Sequence, residues 1–98
     1  MFASCEREMA MQAEIALQEV IDHFDDDEYL HKVAMDNSIA YWNASVFVDE
    51  RISQAFSFLE CFNKEIPCQK PEKNRVQYIL DGIRQWKTEP AKHLKVKP

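Results

Sequence analysis

Sixty-six residues pass before the first proline, Pro67, and the whole 98-residue chain holds one glycine, Gly82. Glycine supplies the positive φ angles that tight hairpins and phosphate-cradling loops need, and proline interrupts helices. A chain poor in both is ill suited to a many-stranded β fold or a nucleotide cradle, and it leaves residues 1–66 free to run as helix. The four prolines, at 67, 71, 90 and 98, all fall in the last third. With 46% hydrophobic and 30% charged residues the chain can bury a core, and its length suits one domain.

Helical periodicity recurs along the chain. Met9, Ala13, Ala16, Leu17, Val20, Ile21 and Phe24 repeat at steps of three and four, which predicts an amphipathic helix over 4–24 with Ser4 as its N-cap. Asp25-Asp26-Asp27-Glu28 follows. An Asp N-cap with further acids in the first turn is favoured by the orphan amides and the positive dipole end, so this run reads first as a helix start. Tyr29, Leu30, Val33 and Ala34 continue that helix over 26–35, and Asp36-Asn37-Ser38 marks a break.

Residues 39–48, Ile-Ala-Tyr-Trp-Asn-Ala-Ser-Val-Phe-Val, alternate like a strand, but no second run in the chain resembles a partner strand. Helix is therefore expected from 38 to 66, carried by Ile52, Ala55, Phe56, Leu59, Phe62 and Ile66 and ended by Pro67. Pro71 suits the first turn of a last helix over 71–87, striped by Val76, Ile79, Leu80, Ile83 and Trp86. Gly82 inside that stripe suggests close packing against another helix. The expected fold is all-α: a compact bundle of three or four helices in a single domain, 1–90, followed by a basic flexible tail, 91–98.

The formal net charge of −5 is unevenly spread. Residues 1–67 carry fourteen acidic and four basic side chains, a net of −10, whereas 68–98 carry three acidic and eight basic, a net of +5. An acidic body repels phosphate, which speaks against direct nucleic-acid binding. No run of residues reaches the length of a membrane span, the N-terminus has no signal-peptide pattern, and the sequon Asn43-Ala44-Ser45 reads as chance. The three cysteines, at 5, 61 and 68, form no C-x-x-C pair, so free thiols and a cytoplasmic location are expected.

Chemistry-bearing motifs are sparse. Glu28-x-x-His31 has the spacing that supplies two metal ligands from one helix face, with Asp22 and His23 nearby. Bundle metal sites need two such motifs, and the remaining histidine, His93, lies in the tail, so neither a metal nor another cofactor is expected. No P-loop, zinc-protease or nucleophile-elbow motif occurs, and no catalytic residue can be named.

The expected role is therefore a non-enzymatic binding module. Size and acidity fall in the range of bacterial immunity and inhibitor proteins, an analogy of class rather than of family. In this reading Asp22, Asp25, Asp26, Asp27 and Glu28 form an acidic face that docks on a basic protein partner such as a nuclease toxin, and Tyr41 or Trp42 adds a desolvated contact. The alternative is a small structural or regulatory protein that homodimerises through apolar helix faces.

Overall fold

The computed structural model describes residues 2–38, 49–67 and 69–88. Among these the chain is all-helical, a small bundle of α1 (Phe2–Asp22), α2 (Asp27–Asp36), α3 (Glu50–Glu60) and α4 (Lys73–Lys87). The strand-or-helix question at 39–48, the contact residues Tyr41 and Trp42, and the tail 91–98 lie outside the described residues.

Local chemistry sets the ends of the elements. The Asp26 side chain accepts from the Tyr29 amide and caps α2, with Asp27 and Glu28 in the first turn, so the acidic run does start a helix. Asn37 is the C-cap of α2 and fixes the break expected at 36–38. Asp49 accepts from the Arg51 amide and caps α3.

Several expectations need correction. The first helix, expected over 4–24 with Ser4 as its N-cap, runs Phe2–Asp22, so Ser4 lies inside it and the chain leaves the helix before Phe24. The helix expected to reach Ile66 ends at Glu60, because Cys61 closes it and the chain tightens into turns. The amides of Cys61, Phe62, Asn63 and Ile66 find carbonyls three residues back, while those of Lys64 and Glu65 donate to His31 Nδ1 and Asn63 Oδ1. Pro71 precedes the last helix instead of opening it, since Glu72 is the N-cap and Lys73 the first helical residue. Cys61 is disulfide-bonded rather than a free thiol. An odd number of cysteines leaves one over but does not stop the other two from pairing, and a search for C-x-x-C motifs misses any other spacing.

The core joins all four helices. Ala13, Ala16, Leu17 and Val20 of α1 meet Leu30, Val33 and Ala34 of α2, Ile52, Ala55, Phe56 and Leu59 of α3, and Val76, Ile79, Leu80, Ile83 and Trp86 of α4. The predicted stripes therefore face inward, Trp86 included. Helix α1 packs most extensively against α4, α3 fits against both, and α2 lies along α1 and α3. An added Cβ at Gly82 would meet only Arg51 Cδ at 3.7 Å, an ordinary contact, so close helix packing does not require the glycine. No described helix is long and apolar enough to cross a membrane.

Candidate functional site: the acidic side of α1 and α2

The turn between α1 and α2 gathers all five acidic residues that the sequence singles out, but in different states. Asp27 is paired with Lys70, Nζ to Oδ1 at 2.9 Å, and Glu28 with Lys64, Nζ to Oε2 at 2.7 Å. Lys70 also donates to the Phe24 carbonyl at 2.9 Å and lies 4.4 Å from the Phe24 ring centroid. One lysine from the segment before α4 thus pins the whole turn. Its hydrogen bond holds the Asp27 carboxyl below the usual aspartate range, and Glu28 raises the Lys64 ammonium in the same way.

Asp26 spends one carboxylate oxygen on its cap, and Asp22 accepts from Gln18 Nε2 at 3.0 Å. Neither is ion-paired among the described residues, and Asp25 has neither an ion pair nor a hydrogen bond there. All three are exposed. Asp22, Asp25 and Asp26 thus remain available to an outside cation. Beside them His23 stacks on Tyr29, with ring centroids 3.8 Å apart, which holds the turn in shape.

The metal-type spacing Glu28-x-x-His31 serves a different purpose. His31 Nδ1 accepts the Lys64 backbone N–H at 3.0 Å while Glu28 takes the same residue's ammonium. Both side chains therefore latch α2 to the turn after α3. Among the described residues no group of three metal-ligating side chains comes together.

On α1 the flank toward α4 is neutralised as well. Glu14 accepts from Arg84 Nε at 2.9 Å and from Lys87 Nζ, and Arg84 also reaches Gln18. The hydrogen bond from Lys87, followed by that from Arg84, lowers the Glu14 carboxyl below its ordinary value.

The opposite flank of α1 carries a feature that the sequence reading missed. Met11, Ile15, Ala16 and Val33 floor a groove of about 360 Å³ between α1 and α2, with Glu8, Glu19 and Asp36 among its lining residues. Ile15 is 60% and Met11 48% exposed, both unusually open for large apolar side chains. Gln12 and Asn37, which also line the groove, are bonded to each other at 2.9 Å. The signal lay in α1 itself: Met11 and Ile15 stand one turn apart, away from the buried stripe, with Glu8 and Glu19 a turn to either side.

No protein-family model, curated protein or solved structure matches the chain.

Proposed function

We propose that the protein is a non-enzymatic binding module of the inhibitor type, engaging a basic protein partner through the exposed carboxylates of the α1–α2 turn. The observation that carries this reading is the contrast within that turn. Asp27 and Glu28 are held by the chain's own lysines, whereas Asp22, Asp25 and Asp26 are exposed and make no ion pair among the described residues, with Lys73 lining the same hollow but paired to none of them. Such a surface attracts a cationic cleft over a distance set by the salt and accelerates encounter with it. A nuclease toxin is one partner with a cleft of that kind. Tyr41 and Trp42 remain part of the proposal as aromatic contacts. The Cys61 disulfide favours an oxidising compartment over the cytoplasm expected from the cysteine pattern, because disulfides seldom persist where thiols are kept reduced.

A homodimer through apolar faces is the second reading, supported by the exposure of Met11 and Ile15. Against it stands charge: a two-fold interface on that face would set Glu8, Glu19 and Asp36 against their own copies.

The test uses the double variant Asp22→Lys, Asp25→Lys, which spares the cap at Asp26 and the lysine pairs of Asp27 and Glu28. A basic protein captured by the wild-type chain should associate with the variant at least about tenfold more slowly, with the difference shrinking as salt rises. An unchanged association rate in a normally folded variant would remove the acidic turn from the interface.

A further inference from the structure

We propose that the groove between α1 and α2 seats a basic amphipathic helix of the partner. This rests on the binding reading above and names the element that makes the contact. Three features on one face point to it. The floor of Met11, Ile15, Ala16 and Val33 is apolar, and Met11 and Ile15 are open to solvent. Glu8, Glu19 and Asp36 line the same groove, and none of them has an ion pair among the described residues. The wall is also fixed before any partner arrives, because Gln12 Nε2 donates to Asn37 Oδ1 and Asn37 Nδ2 donates to the Val33 carbonyl at 2.8 Å.

The charge identifies the occupant. Elsewhere on these helices the carboxylates that meet a cation find it within the chain: Glu14 at Arg84 and Lys87, Asp27 at Lys70, Glu28 at Lys64. The groove carboxylates instead flank uncovered apolar surface, and a helix with one apolar stripe bordered by lysine or arginine satisfies both needs at once. The stretch from Glu8 to Glu19 covers about three turns, roughly 16 Å at 1.5 Å per residue, enough to receive apolar anchors at i, i+4 and i+7. A second copy of this chain fits less well, because it would bring the same acidic residues to face one another.

The probe is a synthetic 18-residue leucine–lysine peptide with leucine on one helical face, compared with a scrambled peptide of the same composition. Binding to the full chain is measured by fluorescence anisotropy at low salt, and the site by amide chemical shifts. The amphipathic peptide should bind at least about tenfold tighter than the scramble, with the largest shifts at Met11, Ile15, Ala16 and Val33. Ile15→Ser should weaken it by about fivefold or more without altering the fold, since Ile15 is exposed.

Equal binding of both peptides, with shifts centred on Asp22 to Asp26, would overturn the groove and leave the acidic turn standing. Failure of both peptides to bind would sink both readings. Two further results would give the groove another occupant and overturn the proposal. One is groove resonances that move on dilution, which would mean a second copy. The other is the same resonances moving in a full-length chain carrying Lys92→Glu, Lys95→Glu and Lys97→Glu, which would mean the chain's own C-terminal residues.

Discussion

Gln12 of α1 donates through Nε2 to Oδ1 of Asn37, 2.9 Å away, and Asn37 in turn donates through Nδ2 to the carbonyl of Val33. Asn37 is only 8% exposed, so its amide would carry a desolvation penalty without these partners. Asn37→Ala removes a side-chain bond at the end of α2 and the cross-link to α1 together, and should cost about 1–3 kcal/mol in urea unfolding. Gln12→Ala should cost less, about 1 kcal/mol, because Gln12 itself is exposed. In the double variant the two losses should overlap rather than add, since both delete the same bond. Strict additivity would mean that the bond contributes nothing in solution.

The Glu14 clamp predicts how stability depends on acid. With its carboxyl lowered by Lys87 and Arg84, Glu14 binds its proton less readily folded than unfolded, where its ordinary value of 4.5 applies. Its contribution is therefore complete above that value and is lost as pH falls through the lower folded one. Asp27, lowered by Lys70, acts in the same sense from its ordinary value of 3.8. The stability gap between wild type and Glu14→Gln, measured by thermal unfolding, should be constant near neutrality and close progressively below about pH 4.5. A gap that stayed the same down to pH 2 would show that the clamp does not operate through charge.

The four helices were legible because core side chains repeat at helical spacing, and Asp26 and Asn37 announce their caps by residue type alone. The site was less legible for a physical reason. The fate of a carboxylate depends on which cation the fold brings within about 3 Å, and Lys64 and Lys70 lie far along the chain from Glu28 and Asp27. Nothing in Asp25-Asp26-Asp27-Glu28 distinguishes the two acids that the chain neutralises from the two it leaves. The end of α3 escaped for a related reason: Phe62 and Ile66 keep the helical spacing and still pack on the core although the backbone around them has turned. Hydrophobic period records burial, and burial survives a change of backbone.

Gly82 offers a stabilising substitution. It lies inside α4, where glycine costs about 1 kcal/mol relative to alanine through the freedom it has when unfolded. An added methyl would touch only the flexible Arg51 side chain, at 3.7 Å. Gly82→Ala should therefore stabilise the fold by about 0.5–1 kcal/mol and raise the thermal midpoint by a few degrees. A destabilised variant would mean that the α3–α4 contact is tighter than the 3.7 Å approach implies.

The disulfide at Cys61 makes a prediction about both composition and stability. The chain has three cysteines, and one bond consumes two of them, so alkylation of the native protein unfolded without reductant should label one thiol, and alkylation after reduction three. Cys61 closes α3 at the point where the chain leaves the helix and enters the turns that hold Asn63 and Lys64. Those turns place Lys64 against Glu28 and His31, so a looser α3 end should weaken the latch on α2 as well. Cys61→Ser is expected to cost about 2–4 kcal/mol, the usual range for a bond that restrains the unfolded chain. Adding Glu28→Gln to Cys61→Ser should then cost less than it does in the wild type, because the latch it removes is already loosened. Equal costs in the two backgrounds would separate the disulfide from the latch and leave each to hold its own part of the bundle.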